Sequence, residues 1–528
     1  MQKLISLVLS AASFLNSVTA SAVVVSTSSG ELHGIEQNGV MSFKGVRIAQ
    51  PPTGPLRWAP PVAFTSQEPK NATTLGPACI QQFSFADSAF QQELFNTPHP
   101  AAEDEDCLFL NVWAPSHSHG EDVLKAVVVW IFGGGLKFGT ASLPSYDGAS
   151  LAANQDLVVV TINYRTNIFG FPSSPDLPLE ENNLGFLDQD MALNWVAANA
   201  EQFGGDPGRV TLMGQSAGST SISWAIARNS QPDTFHAAVL LSGSPVSSPT
   251  TPSFDAFNAF AAAFGCAQAP GPARIKCLKS VPAQDIREWT NGPMGGDFRP
   301  VTDNITVFPS TLDRIRSGAA ALIPILIGNL ENDGSVAAVG QNNLTAFLEI
   351  NIPGLAGNES ELAEVTQVVR SLYPQAQNES QVIEDAVTDF GFRCPAELWS
   401  AAMLEAEVTS VFRYTYGAVF ADLQLFPNAG AWHSSEIGPL FGTLNRTTAT
   451  PAELIWSNTF QTAIANFIKD PISSPALNWP KYAPGPPAET YAKLAYEGNV
   501  ESGNFVQAVA SGNLDTACDK LWNELLVK

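Results

Sequence analysis

The sequence has few basic side chains for its length. Its 528 residues include 26 Lys and Arg against 50 Asp and Glu, which gives a formal net charge of −24 at pH 7. A field of that sign repels phosphate backbones and anionic lipid headgroups. After the first 22 residues there is also no run of about 18 apolar residues, the length that a membrane-spanning helix needs. The composition therefore argues against nucleic-acid partners and against stable membrane insertion.

Common metal and redox motifs are also missing. The sequence contains no H-E-x-x-H and no C-x-x-C, and the closest pair among its six histidines, His117 and His119, lies in a polar loop. Metal ligation and dithiol chemistry usually depend on such spacings. We therefore expect no metal ion and no organic cofactor.

The first 22 residues are predicted to be a secretory signal peptide. Lys3 is followed by a mostly apolar run that is short for a membrane span, and then by small residues that allow cleavage after Ala20 or Ala22. The remaining chain, 23–528, has no internal repeat and no long linker. We therefore expect it to form one domain.

Secretion affects the interpretation of the cysteines and of the glycosylation sequons. An even number of cysteines in an extracellular protein predicts structural disulfides, although the spacing leaves fifteen pairings open. The cysteines are Cys79, Cys107, Cys266, Cys277, Cys394 and Cys518. Sequons for N-glycosylation are found at Asn71, Asn304, Asn343, Asn358, Asn378 and Asn445.

Short apolar runs rich in β-branched residues predict buried strands. Such runs are typical of a parallel sheet that is covered on both faces. Between the second and third runs, the apolar spacing of Gly185–Asn199 predicts a helix. The alternation indicates an α/β fold, with a mostly parallel central sheet and helices on both faces. The predicted strands are Ala126–Phe132, Leu157–Asn163, Val210–Gly214, Ala237–Leu241, Ile323–Ile327 and Val411–Tyr416.

One serine stands between two glycines in the stretch VTLMGQSAGST. Ser216 lies where the predicted strand Val210–Gly214 gives way to a predicted helix, Ser219–Ala227. An ordinary glycine turn would explain the pattern too, but ligands of open α/β sheets bind at the carboxyl ends of strands. Side chains at Gly214 and Gly218 would collide with neighbouring backbone in so sharp a turn. The pattern therefore favours Ser216 as a nucleophile.

The base and the acid are predicted by elimination. A serine nucleophile needs a base, usually histidine, and in open α/β folds with this motif the chain order is serine, acid, histidine. Only His236 and His433 follow Ser216, and His236 leaves almost no room for an acid. His433 is therefore the predicted base. Asp333 follows a predicted strand and precedes a glycine, which makes it the first candidate for the acid, with Glu331 as the alternative.

Backbone donors for a developing oxyanion are predicted after the first strand. Gly133, Gly134 and Gly135 follow Ala126–Phe132 directly. Without side chains, their N–H groups can converge on a ligand, although a flexible turn has the same composition. Ala217 is next to Ser216 at a helix N-terminus, where it adds a donor and a favourable dipole.

Several longer stretches match a known family. They are FKGVRIAQPPTGPLRW (Phe43–Trp58), EDCLFLNVWAP (Glu105–Pro115), VVVWIFGGGLKFG (Val127–Gly139), NLGFLDQDMALNWVAANAEQFGGDPGRVTLMGQSAG (Asn183–Gly218), LSGSP (Leu241–Pro245) and AWHSSEIGPLFG (Ala431–Gly442). On these residues the chain resembles the type-B carboxylesterase/lipase family, the cholinesterase-like branch of the α/β-hydrolases, and particularly its secreted fungal members.

The resemblance implies an α/β-hydrolase fold and assigns the same catalytic residues. Ser216 matches the nucleophile and His433 the base. The family usually has a glutamate before glycine as the acid, so Asp333 at that place is a departure with a shorter side chain. Also implied are oxyanion donors at Gly134, Gly135 and Ala217, and a serine beside the triad at Ser242.

Structural pairs are implied by the resemblance as well. Two ion pairs, Arg57–Glu105 and Arg165–Asp188, are expected to support the fold and not the chemistry. The implied disulfides are Cys79–Cys107, Cys266–Cys277 and Cys394–Cys518.

The expected function is hydrolysis of small-molecule or lipid esters by a secreted serine carboxylesterase. The alternatives are a lipase with a mobile lid between Cys79 and Cys107, an esterase for a fungal secondary metabolite, and an inactive cholinesterase-like binding module. Such inactive modules typically lack the serine or the histidine. The loop between the two cysteines has 27 residues, which is short for a lid and favours soluble, short-to-medium esters. Its apolar residues are Phe83, Phe85, Ala89, Phe90, Leu94 and Phe95.

Overall fold

The computed structural model describes most of the chain. The described residues are 20–83, 91–93, 96, 101–116, 123–248, 251–266, 268–352, 354–484, 488–501 and 503–527. Most of the predicted signal peptide, 1–19, lies outside them, and so do Phe85, Ala89, Phe90, Leu94 and Phe95 of the predicted lid. In the described part of the chain, no helix is long and apolar enough to span a bilayer.

A 13-stranded sheet runs through the molecule in the order β1-β2-β3-β5-β7-β6-β8-β9-β10-β11-β12-β13, and β4 pairs with β2. All pairs from β7 to β12 along this order are parallel, whereas both ends of the sheet are antiparallel. The strands are β1 Ser21–Thr27, β2 Gly30–Gln37, β3 Val40–Arg47, β4 Lys70–Asn71, β5 Phe109–Pro115, β6 Lys125–Ile131, β7 Val158–Ile162, β8 Gly205–Gln215, β9 Ala237–Leu241, β10 Ile325–Leu330, β11 Val411–Tyr416, β12 Glu489–Leu494 and β13 Val506–Ala510.

Each of the six predicted strands is found at the centre of this sheet. Every residue of β7, β9, β10 and β11 is buried, so both faces of the sheet are covered there, as a parallel arrangement requires. The boundary of β10 differs from the prediction: it begins after Pro324, which has no N–H to donate, and continues to Leu330. Because of this extension, the chain delivers Asp333 beyond the end of the sheet.

Strands at the margins of the sheet were not predicted. In β1 and β2, exposed and buried residues are mixed, so the sequence shows no uninterrupted apolar run there. In β5 the run is interrupted by Asn111, which is buried. Its Oδ1 accepts from Gly45 N–H at 2.9 Å and its Nδ2 donates to Thr161 Oγ1 at 3.0 Å. A buried amide with these partners fits a strand that is covered on both faces, although its polarity hides the strand in the sequence.

Helices flank the sheet. The predicted helix Gly185–Asn199 is α3, and the predicted helix Ser219–Ala227 is α4, which begins directly after Ser216. The helices are α1 Ala149–Gln155, α2 Asn167–Gly170, α3 Leu184–Asn199, α4 Ala217–Arg228, α5 Asp255–Ala263, α6 Pro272–Leu278, α7 Ala283–Thr290, α8 Thr311–Arg316, α9 Ser335–Ala338, α10 Leu344–Asn351, α11 Glu359–Leu372, α12 Glu379–Thr388, α13 Cys394–Glu405, α14 Ile437–Phe441, α15 Pro451–Lys469, α16 Ser511–Leu514 and α17 Asn523–Val527. Single turns of 3₁₀-helix are found at Gly54–Leu56, Pro144–Tyr146, Leu179–Glu181, Ala200–Phe203, Ala421–Leu423 and Tyr496–Gly498, and π-helical turns at Asp389–Arg393 and Cys518–Trp522.

Both implied ion pairs are present. Arg57 and Glu105 form two hydrogen bonds of 2.6 Å. Arg165, which is 3% exposed in its side chain, pairs with the fully buried Asp188 through bonds of 2.7 Å. In such bidentate pairs, two N–H groups of a buried arginine donate to the two oxygens of one carboxylate.

All three disulfides are formed as the resemblance implied: Cys79–Cys107, Cys266–Cys277 and Cys394–Cys518. They close loops of very different size, with sequence separations of 28, 11 and 124 residues. The third ties the C-terminal segment to the start of α13. In the chain-entropy model, a longer closed loop restricts the unfolded chain more.

Removing Cys394–Cys518 should therefore destabilise the protein more than removing Cys266–Cys277. Loop entropy gives losses of about 5 and about 3 kcal/mol for the two double Cys→Ala variants. The guanidinium midpoints of unfolding, followed by tryptophan fluorescence, measure the difference. Equal losses would contradict the loop-length account.

Candidate active site

Ser216 lies on a strained turn between β8 and α4. Its φ of 56° and ψ of −122° are rarely adopted by a residue with a side chain. A Cβ on Gly218 would be 1.9 Å from the carbonyl oxygen of Ile131, and one on Gly214 would be 2.7 Å from the carbonyl carbon of Gly218. The N–H of Ser216 donates to Leu241 O at 2.8 Å. Both glycines are therefore needed for the reason that the sequence suggested, and the turn presents the Ser216 side chain beyond the sheet.

Asp333 is held by three hydrogen bonds. Its Oδ2 accepts from Leu330 N–H at 2.7 Å and from Ser242 Oγ at 2.9 Å, while Oδ1 is 2.8 Å from His433 Nδ1. The side chain is fully buried. The next residue has to be glycine, because a Cβ on Gly334 would be 2.0 Å from Glu384 O on α12. The carboxylate is thus fixed in position by backbone packing on one side and by donors on the other.

Glu331, the alternative acid, lies apart from His433. Its side chain is 40% exposed and forms an ion pair of 3.3 Å with Lys493. The backbone N–H of Glu331 continues the sheet by donating to Tyr416 O at 2.9 Å. The geometry therefore brings Asp333, and not Glu331, to the imidazole.

The two nitrogens of His433 face different partners. Because Nδ1 meets a carboxylate, it carries the proton in the neutral ring, and Nε2 is left as an acceptor. Nε2 is 3.2 Å from Nε2 of Gln215, whose amide N–H is placed to donate to it. The ring also packs against Phe392, with centroids 4.8 Å apart. Among the described residues, no hydrogen bond joins Ser216 Oγ to His433, as is common in active sites without substrate.

Two of the three predicted oxyanion donors line the cavity at Ser216. Gly135 and Ala217 line the same cavity as Ser216, and Gly134 lies one residue before Gly135, beyond the end of β6. The carbonyl of Gly134 accepts from Lys137 and Phe138 N–H at 3.0 and 3.2 Å, which fixes the glycine turn. Within the described ranges, the N–H groups of Gly134, Gly135 and Ala217 have no hydrogen-bond partner. They are therefore available to a ligand.

The cavity at Ser216 has a volume of about 460 Å³. Its polar wall carries the hydroxyls of Thr220, Ser244 and Ser247, and its apolar wall consists of Leu136, Val246, Phe390, Phe392, Pro395 and Leu526. No charged side chain lines it in the part of the chain that the structure describes. The chemistry of the lining suits a neutral, partly apolar ligand.

Glu436 is a buried carboxyl near Asp333 that the sequence did not single out. Burial, together with the negative charge of Asp333, raises the pKa of Glu436 to about 8. At neutral pH the carboxyl is therefore mostly protonated, which limits the negative charge beside Asp333. Its position three residues after His433, in a loop of small residues, offered no pattern from which burial could be predicted.

Three side chains of a type that binds metal ions lie close together elsewhere in the described chain. Glu397, Asp515 and Cys518 have ligand atoms within 4.8 Å of one another. However, Cys518 is in a disulfide and Asp515 pairs with Arg413 at 2.5 and 2.8 Å. These residues are occupied structurally and do not form a metal-binding set.

Comparison with known proteins places the chain in a family. The model of the carboxylesterase family matches residues 21–511, and the chain belongs to that family. It is a carboxylic ester hydrolase with the α/β-hydrolase fold, as its sheet and flanking helices indicate.

Its relatives are esterases of several kinds. The chain is 30% identical to a cholinesterase of Mus musculus over 495 residues, covering 86% of this chain and 80% of the relative. It is 29% identical to a chlorogenic acid esterase of Aspergillus niger over 518 residues, covering 94% of each. Among solved structures, a PNB esterase is 28% identical with a TM-score of 0.72, covering 95% of this chain and 99% of the other.

The turn at Ser216 should not tolerate a methyl group at position 218. Gly218→Ala places a Cβ against the backbone of β6, and overpacking of this severity costs about 3 kcal/mol or more. The urea midpoint and the yield of folded protein measure the loss. Gly438→Ala is the control, because a Cβ there meets nothing closer than Leu444 Cδ2 at 3.4 Å. Equal stability of the two variants would show that the turn relaxes easily.

Proposed function

We propose that the chain is a secreted serine esterase with Ser216 as nucleophile, His433 as general base and Asp333 as the acid that orients it. One observation carries the proposal: the buried carboxylate of Asp333 bonds to Nδ1 of His433 at 2.8 Å and leaves Nε2 as the acceptor that faces Gln215, the residue before Ser216. That protonation pattern is the one in which histidine can take a proton from a hydroxyl.

In the first half-reaction, Ser216 Oγ attacks the carbonyl carbon of the ester and His433 Nε2 takes its proton. The carbonyl oxygen becomes an oxyanion, which accepts hydrogen bonds from the N–H groups of Gly134, Gly135 and Ala217. As the tetrahedral intermediate collapses, the imidazolium donates its proton to the departing alcohol. A water molecule then attacks the acyl-enzyme by the same route and releases the carboxylic acid.

Gln215 has to give way during this reaction. Nε2 of a neutral imidazole has one lone pair, so it accepts one strong hydrogen bond. In the structure, the Gln215 amide occupies that position. Attack by Ser216 therefore requires its hydroxyl to replace the amide as the partner of Nε2.

Secretion and glycosylation are part of the proposal. The three disulfides are compatible with an oxidising compartment. All six sequon asparagines are exposed. Strand β1 begins at Ser21, so signal cleavage after Ala20 leaves it whole, whereas cleavage after Ala22 removes its first two residues. We therefore favour Ala20, with one hydrolase domain following.

The proposed substrates are neutral esters of short-to-medium length. The cavity of about 460 Å³ without charged lining residues among those described supports this class. Phe83, at the start of the predicted lid, is buried and stacks on Phe138 with centroids 5.2 Å apart. That packing suits a fixed wall better than a lid.

Replacing Ser216 by Ala should lower kcat by at least about 10⁴-fold, because only the oxyanion donors and substrate binding remain. Hydrolysis of p-nitrophenyl butyrate by the purified variant measures the loss, with thermal melting as the control for folding. Addition of EDTA to the wild type should leave the rate unchanged. Unaltered turnover in the variant would refute the proposed nucleophile.

Asp333→Asn should be far more damaging than Glu331→Gln. Oδ2 of Asp333 accepts hydrogen bonds from Ser242 Oγ and Leu330 N–H, so the amide oxygen of the substituted side chain would take that position. Its NH₂ group would then face His433 and donate to Nδ1. The imidazole would then carry its proton on Nε2 and could not act as a base, which should lower kcat by about 10⁴-fold. Comparison of kcat for the two variants tests which carboxylate orients His433. A larger loss of kcat in Glu331→Gln than in Asp333→Asn would assign that role to Glu331.

A further inference from the structure

A second cavity adjoins the one at Ser216. It has a volume of about 520 Å³ and lies between α10, α12 and the C-terminal segment. Phe390 and Gly391, in the π-helical turn Asp389–Arg393, line both cavities. The C-terminal segment also borders both, through Trp522 in the second cavity and Leu526 in the first. The two cavities therefore meet at one short piece of backbone.

The lining of the second cavity is apolar on its floor and polar at its rim. Phe347, Ile352, Val387 and Trp522 form much of the apolar part, while Gln341, Asn342 and Asn351 supply amides. Among the described residues that line it, none is charged. Ile350, also on the lining, is 81% exposed, so apolar surface continues to the outside. Such a surface favours a neutral apolar chain over a charged one.

Gly391 has no side chain at the junction between the two cavities. A Cβ built on it has Val387 Cγ1 at 3.9 Å as its nearest neighbour, which is ordinary contact distance. Its backbone conformation is not left-handed, so the fold itself does not require glycine at this position. Because Gly391 lines both cavities, a large side chain here would occupy space at this junction.

We propose that the second cavity binds the distal apolar part of the ester substrate, which passes from Ser216 across Phe390 and Gly391. This inference rests on the proposed function and extends it to a substrate class: neutral esters with an apolar chain too long for the first cavity alone. The shared lining identifies the occupant, because a chain anchored at Ser216 that passes Phe390 and Gly391 arrives at the second cavity.

The test compares two substrates in wild type and Gly391→Leu. The kcat/KM values for p-nitrophenyl butyrate and p-nitrophenyl decanoate are measured below the concentration at which the decanoate aggregates. Each buried methylene contributes about fourfold to binding. A leucine at position 391 should therefore lower the decanoate-to-butyrate ratio of kcat/KM by roughly tenfold or more.

A second pair of variants tests the cavity without touching the junction. Ile350→Ser removes apolar surface from the second cavity and should lower the ratio several-fold. Ile472→Ser is the matched control, since Ile472 is 65% exposed and lines neither cavity, and its ratio should equal that of wild type. If Gly391→Leu does not fold, this pair decides alone.

An unchanged ratio in both Gly391→Leu and Ile350→Ser would overturn the inference and leave the serine-esterase proposal intact. An equal loss for butyrate and decanoate would also overturn it, because the side chain at 391 would then block only the first cavity. Failure of the proposed function is seen separately, as retention of butyrate hydrolysis in the Ser216→Ala variant.

Discussion

The site depends on one close approach between two backbone segments. Gly218, at the start of α4, lies so near the carbonyl of Ile131 at the end of β6 that not even a methyl group fits between them. This approach lets β8 turn into α4 within one residue and forces Ser216 into its strained conformation. The buried parallel strands on either side maintain the strain, because they leave the turn no alternative path.

The same sheet brings the other groups to this turn. Parallel strands end at a common edge, so the residues after β6, β8 and β10 come together although they are far apart in sequence. Asp333 comes from beyond β10 and is tied back to Leu330. His433 comes from the loop after β11 and is held between Asp333, Gln215 and Phe392. The geometry thus follows from strand direction and a few short hydrogen bonds.

Much of this could be predicted from the sequence, because buried parallel strands leave uninterrupted apolar runs and turns without space for a Cβ require glycine. Asp333 could be preferred over Glu331 because it precedes Gly334, and the structure supplies the reason in the contact with Glu384 O. The edge strands could not be predicted, since their burial is mixed. Neither could Gln215, Glu436 and the walls formed by Phe390 and Leu526, which depend on contacts between distant segments.

The central claim is that Ser216, on its strained turn, is the activated nucleophile. Its most direct test is reaction of the folded enzyme with a fluorophosphonate, followed by intact-mass measurement and peptide mapping. The account predicts one adduct for each chain, located on the peptide that contains Ser216, with loss of esterase activity in step with labelling. An adduct on another serine such as Ser242, or full activity after Ser216 is labelled, would contradict it.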